Sequence, residues 1–237
     1  MDQLLVTAAS GMKSRMDSLD MHANNMANSG TPGFKTDREF YNLYDQSLPM
    51  VERQYTDFSQ GGLLSTGNPL DVALNGKGFF ALNAPSGIVY TRSGNFRIST
   101  SNQLETKEGY TLRNVLDSGK PIIVDPMQKI DIGKDGMVRQ GGQDLGQLEI
   151  AQPAAPSDTL TKLAGANFAL IDKNGAAPQA DVTTEVMQGQ IEQANVAVTE
   201  SAGKLVGVMR QFEMMQKAIM LGTEMNKQMI TEVAKPN

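Results

Sequence analysis

The sequence predicts an α+β fold in which long N- and C-terminal α-helices flank a central, mostly antiparallel β domain, barrel- or sandwich-like in form. Three observations predict it: apolar residues recur at helical spacing near both ends, short alternating segments fill the middle, and glycine-rich turn signals separate those segments. We expect an N-terminal helix over 1–30, an extended connector over 31–60, the β domain over 61–187 and a C-terminal helix over 188–237.

The N-terminal segment carries a narrow apolar stripe. Its apolar residues alternate by three and four positions, which places them on one face of a helix. Two glycines and a proline within 29–33 predict where this helix ends. The predicted stripe contains Leu5, Ala9, Met12, Met16, Leu19, Ala23 and Met26.

A second apolar stripe lies in the C-terminal segment, which is free of proline from Asn195 to Val233. Each of Gly203, Gly207 and Gly222 weakens an isolated helix by ~1 kcal/mol relative to alanine, so this helix depends on packing. The predicted stripe contains Ala202, Leu205, Met209, Phe212, Met215 and Ile219.

Both stripes need a surface that covers them, and two arrangements supply one. The helices can pair within one molecule and pack on the sheet, or the terminal helices of many copies can form one bundle. Amphipathic spacing is the same in both arrangements. The pattern alone therefore leaves the choice open.

The sequence pattern in the middle of the chain predicts many short strands. Residues 70–74 alternate, Asn75 and Gly76 give a turn signal, and 78–82 follow as a second strand, which predicts a hairpin. Further strands are expected at 88–92 and at other short segments up to about residue 171. Many short strands at such spacing are typical of an antiparallel barrel or sandwich.

Composition and charge exclude several classes of function. The 237 residues carry a net charge of -5 and no cluster of Lys and Arg, which disfavours nucleic-acid binding and an anionic membrane surface. Cysteine is absent, so disulfides, thiol nucleophiles and thiolate metal sites are excluded. His22 is the only histidine, which disfavours histidine-based catalytic sites and zinc sites. We therefore expect no enzymatic activity, no catalytic residues, no metal, no cofactor and no small-molecule substrate.

The start of the chain lacks the apolar core of a secretory signal, since polar residues interrupt its first dozen positions. No apolar run reaches the ~18–20 residues that a membrane span needs. If the protein works outside the cytoplasm, we expect it to leave without a cleaved signal peptide.

A dense polar motif lies where the N-terminal helix should end. An Asn- and Gly-rich helix stop explains one asparagine and one glycine, but it does not explain the whole run. The motif residues are Asn24, Asn25, Asn28, Thr31, Gly33, Phe34 and Lys35. This run resembles the signature of the bacterial flagellar axial proteins, which include the rod and hook subunits. Blocks at 60–80, 90–96 and 188–196 resemble the same family.

This resemblance implies a structural subunit of the flagellar basal-body rod, which polymerises through its terminal helices. The segment 210–214 is most similar to the proximal rod protein, which implies the torque-transmitting proximal rod. The implied partners are other copies of the chain, other rod and axial proteins, and the flagellar type III export apparatus. The implied location is the periplasm-spanning rod of the basal body. A distal rod subunit is the alternative within the family, and a secreted β-domain adhesin or binding module is the alternative from another class.

Overall fold

The computed structural model describes residues 2–41, 51–153, 155–171, 179–181 and 183–233. These residues divide into two compact units. The helical unit falls within Met1–Ala27, Asp37–Tyr55 and Ala197–Asn237, and the β unit falls within Asn28–Thr36 and Thr56–Val196.

The helical unit contains α1 (Asp2–Ala27), α3 (Val198–Val233) and a two-stranded sheet of β1 (Asp37–Tyr41) and β2 (Val51–Thr56). In this unit α1 packs against both α3 and β1. The first helix ends just before the predicted stop, where the Asn28 carbonyl accepts a hydrogen bond from the Thr31 N–H at 3.0 Å. Neither this helix nor any other described one is long and apolar enough to cross a membrane.

The segment 31–60, expected as an extended connector, includes β1 and β2. The partners of β1 are side chains on α1 and a strand at least ten residues away, so the local sequence pattern carries no sign of them. The remaining boundaries of the four-part division stay a prediction.

The β unit contains one short helix, α2 (Pro156–Thr159), and most of the strands. The strands are β3 (Leu63–Ser65), β4 (Val72–Asn75), β5 (Phe79–Ala84), β6 (Gly87–Thr91), β7 (Arg97–Ile98), β8 (Leu104–Glu105), β9 (Thr111–Leu112), β10 (Ile130–Ile132), β11 (Met137–Gln140), β12 (Gln143–Gln147), β13 (Ile150–Gln152), β14 (Leu160–Lys162), β15 (Asn167–Leu170), β16 (Gln179–Ala180), β17 (Glu185–Gln188) and β18 (Gln190–Glu192).

The largest sheet has nine strands in the order β14-β15-β6-β5-β9-β8-β7, with β13 and β16 attached through β5. Beside it lie a three-stranded sheet, β10-β11-β12, and the pairs β17–β4 and β18–β3. Every pairing whose register is described in this unit is antiparallel. The α+β class with a central antiparallel domain and a helix at each end is thereby confirmed. The described strands do not close into a barrel, and the sandwich-like alternative stays a prediction.

The predicted hairpin of 70–74 with 78–82 is wrong. Instead β4 pairs with β17, and β5 turns back onto β6. The reason lies at the turn signal: a Cβ on Gly76 would lie 2.4 Å from the Thr184 hydroxyl, and the Gly78 N–H donates to that hydroxyl at 3.0 Å. The turn is packed against the residues before β17, which takes the place beside β4. The strand predicted at 88–92 is confirmed as β6.

Strand β5 is buried on both faces, and its side chains alternate between two apolar clusters. Phe80 and Leu82 belong to the larger cluster, while Phe79 and Ala81 belong to the smaller. In the smaller cluster the rings of Phe79 and Phe168 meet edge-on at 5.9 Å. Burying one such side chain fully stabilises the fold by ~1.5–3 kcal/mol, so these clusters are the main stabilising feature of the β unit.

Candidate functional site

The buried side of α1 is mostly small and polar. Its buried residues recur at helical spacing and are Gly11, Ser14, Ser18, Met21, His22 and Asn25. The predicted apolar stripe lies on another side of the helix: Ala9, Met16 and Ala23 are exposed, and Met12, Leu19 and Met26 are half-buried. The side chain of Leu5 lies outside the part of the chain that the structure describes. The first helix therefore turns polar groups inward and leaves its apolar stripe largely uncovered.

Side chains on the polar side of α1 form hydrogen bonds with strand β1. The Ser18 hydroxyl donates to the Glu39 carboxylate, whose other oxygen lies 3.6 Å from the His22 Nε2. The Asn25 side chain accepts from the Asp37 N–H at 2.9 Å and donates to the Asp37 carbonyl at 2.7 Å. This amide thus replaces a neighbouring strand at the start of β1, which gives one motif asparagine a definite role.

Burial lowers the pKa of His22 from its ordinary value, although the nearby Glu39 carboxylate acts in the opposite direction. The neutral imidazole is favoured because desolvation penalises the charged form. At neutral pH the polar side of α1 therefore carries an uncharged histidine next to a carboxylate.

The predicted C-terminal stripe lies mainly on the covered side of α3. Its residues Ala202, Leu205, Phe212, Met215 and Ile219 are half-buried, and Val208, on the same side, is 7% exposed. The remaining predicted residue, Met209, is exposed on a different side. The two predicted stripes therefore differ in degree: five of the six α3 residues are half-buried, whereas three of the six described α1 residues are exposed.

Helix α3 also carries an apolar row that the sequence analysis missed. The members of this outer row follow a four-three-four spacing, and Leu221 among them is 67% exposed. Exposed Val206, Met209 and Met220 lie on a third side. Because each side has apolar residues, no single stripe dominates the pattern, and a helix of this kind is ordinarily buried all round. The outer row consists of Met214, Ala218, Leu221 and Met225.

A fully buried ion triad lies in the β unit, formed by Lys35, Arg92 and Glu192 and called the latch below. The Glu192 carboxylate accepts from the Lys35 Nζ at 2.6 Å and from the Arg92 Nη1 at 3.2 Å. It also accepts from the Gly61 N–H at 2.9 Å. None of the three charged side chains is more than 2% exposed.

Backbone carbonyls add hydrogen bonds to the two cations of the latch, although the buried Arg92 Nε has no hydrogen-bond partner among the described residues. The Lys35 Nζ donates to the Ser59 carbonyl, and the Arg92 Nη2 donates to the Gly76 carbonyl, both at 2.7 Å. Burial lowers the pKa of Lys35 and of Arg92, while the Glu192 carboxylate opposes that effect. Taking ions out of water is costly, so the latch is better suited to specify one arrangement than to add stability.

The backbones at the latch approach too closely for any side chain. The Gly33 N–H donates to the Glu192 carbonyl at 2.7 Å, and the φ of Gly33 is +68°. A Cβ on Gly33 would lie 2.3 Å from the Arg92 carbonyl carbon, and one on Gly61 would lie 2.0 Å from the Gln193 oxygen. Glycine is required at both positions for these contacts.

A second asparagine amide, that of Asn195, joins the segment that follows α1 to the segment that precedes α3. The Asn195 Oδ1 accepts from the Thr36 N–H at 2.7 Å, and its Nδ2 donates to the Asp57 carbonyl at 2.8 Å. The Asn195 N–H also donates to the Phe34 carbonyl at 3.3 Å. The segment that follows α1 and the segment that precedes α3 therefore lie side by side in the β unit.

The structure divides the predicted motif between two tasks. Asn25 positions β1 in the helical unit, whereas Gly33, Phe34 and Lys35 belong to the latch region of the β unit. Phe34 is buried, and the Lys162 Nζ lies 3.8 Å from the centre of its ring.

The other motif residues lie at the end of α1 or just beyond it. Asn28 accepts a 3.4 Å hydrogen bond from the Thr31 hydroxyl, and Asn24 is exposed. Within the described part of the chain, no group of three or more His, Asp and Glu side chains could hold a metal ion.

Two protein-family profiles match the chain. The profile described as "Flagella basal body rod protein" matches residues 5–35, which cover most of α1 and the motif. The profile described as "Flagellar hook protein FlgE/F/G D1 domain" matches residues 73–140, from β4 to the end of β11.

Curated relatives match the chain over nearly its whole length. Flagellar basal-body rod protein FlgF of Caulobacter vibrioides is 29% identical, with 100% of both chains covered. FlgF of Mesorhizobium japonicum is 30% identical, with 90% of both chains covered. Flagellar basal-body rod protein FlgG of Borreliella burgdorferi is 30% identical, with 95% of this chain and 96% of the relative covered.

Proposed function

Since this chain belongs to the family of flagellar basal-body rod proteins, we propose that it is a structural subunit of the rod and polymerises through its terminal helices. The observation that carries the proposal is the uncovered apolar surface of both helices. Met16 on α1 and Leu221 on α3 are 52% and 67% exposed, in rows of helical spacing. Rows of this kind are covered when helices of neighbouring subunits pack together.

Methionine-rich rows suit such an assembly. The α1 stripe contains three methionines and the outer row of α3 contains two. Methionine is unbranched and adapts its shape, so one row can pack against surfaces that differ slightly between neighbours. The contacts of a helical polymer are heterologous, since one face of each subunit meets a different face of the next.

The proposed partners are other copies of this chain and other flagellar rod and axial proteins. We further propose export by the flagellar type III apparatus without a cleaved signal peptide, and a place in the periplasm-spanning rod of the basal body. Torque is then transmitted through subunits that are held together by their helices. The proposed role is structural and involves no catalysis.

The proximal part of the rod is the proposed position. Its support is the segment 210–214, which is most similar to the proximal rod protein. Relatives named FlgF and FlgG match with similar identity, so the position along the rod needs its own test. Localising a tagged chain in imaged basal bodies provides it. Density at the distal end would replace the proximal assignment and leave the rod assignment intact.

The test of assembly is Leu19→Asp, which places a carboxylate in the α1 stripe. We expect loss of rod assembly and motility, because a buried unpaired charge opposes helix packing. The β unit should remain folded, as judged by the circular dichroism of the purified protein.

The matched control is Lys13→Asp, which adds the same carboxylate at an exposed position of α1 outside the stripe. Near-normal motility is expected for this control. Normal rods and swimming with Leu19→Asp would contradict the proposed role of the stripe.

A further inference from the structure

The latch consists of residues that are far apart in the chain. Lys35 and Glu192 are separated by 157 positions, and Arg92 and Glu192 by 100. Lys35 belongs to the segment that follows α1, Glu192 belongs to β18 near the entry to α3, and Arg92 directly follows β6 of the large sheet. The three latch residues therefore come from three different parts of the chain.

The three charges of the latch can be buried only when all three are present. Without Glu192, two buried cations face each other; without Lys35, the segment that follows α1 loses the ion pair that ties it to β18. Removing one partner of a buried ion pair is strongly unfavourable, because it leaves an uncompensated charge in a low-dielectric site. Arg92 cannot move away, since its guanidinium lies 4.9 Å from the buried Phe79 ring and donates to the Gly76 carbonyl.

We propose that the latch is a conformational lock that couples the docking of the two chain ends, so that neither terminal segment is held firmly on the β unit unless the other is in place. The N-terminal segment in this statement is 31–36, and the C-terminal segment is 190–195. Two backbone hydrogen bonds join them, Gly33 N–H to Glu192 and Asn195 N–H to Phe34. The lock is a property of the single chain and is independent of rod assembly.

Amide hydrogen exchange on the full-length monomer tests the coupling. The Gln193 N–H is a reporter for the C-terminal segment, because it donates to the Gly62 carbonyl at 2.8 Å and not to a residue of 31–36. The Gly33 N–H is the reporter for the N-terminal segment. The Val72 N–H, which donates to the Gly94 carbonyl at 2.9 Å, reports on the core.

We expect Lys35→Met to accelerate exchange at Gln193 by about tenfold or more while Val72 keeps its protection. Glu192→Gln should accelerate exchange at Gly33 to a similar degree. The matched control is Lys120→Met, the same change at an exposed lysine, which should leave both reporters unchanged. Unchanged exchange at Gln193 in Lys35→Met would overturn the lock, since the chain ends would then dock independently.

A second variant covers the case in which Lys35→Met unfolds the whole β unit. Asn195→Ala removes hydrogen bonds to Thr36 and Asp57 and leaves the latch charges in place. Because the latch is intact in this variant, the lock predicts that Gly33 keeps most of its protection. Exchange at Gly33 accelerated by tenfold or more would assign the docking to Asn195 and overturn the lock. The triple variant Lys35→Met, Arg92→Met, Glu192→Met should unfold at higher denaturant than Glu192→Met alone, because it leaves no unpaired charge. A triple variant less stable than that single variant contradicts the charge argument. These measurements use monomer, so their outcome is separate from that of the motility test.

Discussion

The helical unit and the β unit differ in the side chains that they bury. The β unit encloses two apolar clusters and a buried latch in which Lys35 and Arg92 share the Glu192 carboxylate. In the helical unit, α1 turns Ser18, His22 and Asn25 inward and leaves Met16 exposed. The β unit thus completes its core from its own residues. The helical unit leaves apolar side chains such as Met16 exposed, which is the surface that the proposed assembly through the helices requires.

The largest expected effect tests whether the β unit depends on its buried charges. We expect Glu192→Ala to lower the free energy of unfolding of the β unit by about 3–5 kcal/mol, because two cations lose their common carboxylate. Urea unfolding followed by circular dichroism measures it. Asp117→Ala removes one partner of an exposed ion pair and should cost less than ~1 kcal/mol. Equal losses of unfolding free energy in the two variants would mean that removing a buried charge costs no more than removing an exposed one.

An intermediate effect is expected at the polar side of α1. Asn25→Ala removes two hydrogen bonds and leaves the backbone of Asp37 without those partners, which costs about 1–3 kcal/mol. Faster exchange of the Asp37 N–H measures the loss. Lys13→Ala, an exposed change on the same helix, should leave that exchange rate unaltered. If Asn25→Ala has no effect on Asp37, the polar side of α1 does not hold β1.

The smallest effect concerns pH. The folded pKa of His22 lies below its ordinary value of 6.5, so the unfolded chain binds the proton more readily. The contribution of neutral His22 to the free energy of unfolding of the helical unit is therefore fully present above about pH 6.5. This contribution is lost as the pH falls below that value. The charged groups around the imidazole are Glu39, Glu200 and Lys204. Thermal unfolding of wild type and of His22→Gln at several pH values measures the difference. A fall between pH 7 and 5.5 that is the same in both proteins would exclude His22 as its source.

The class of fold could be predicted because it depends on local patterns. Helical spacing at both ends and short alternating segments between them are visible within windows of a few residues. The pairing of strands could not be predicted in the same way. Whether β4 pairs with β5 or with β17 depends on Gly76 and Thr184, which are 108 positions apart and meet only in the folded chain.

The candidate site was predictable only in part, for a related reason. The α1 stripe is evident in the sequence, but spacing does not say which side of a helix its own chain covers. Small polar residues such as Ser18 lie on the buried side of α1, and Met16 of the apolar stripe is exposed. Lys35 was recognised through the motif, whereas its partners Arg92 and Glu192 lie in separate segments. An ion pair between distant residues has no signal in a single sequence.

The side-by-side course of the chain near the latch makes the continuous stretch 56–196 of the β unit an insertion with adjoining ends. Its two ends meet where the Asn195 Nδ2 donates to the Asp57 carbonyl at 2.8 Å. A module whose ends adjoin can be exchanged for another of different size without changing the distance between the flanking segments. The same pair of helices is therefore compatible with inserts of different size and surface, provided that each insert brings its two ends together.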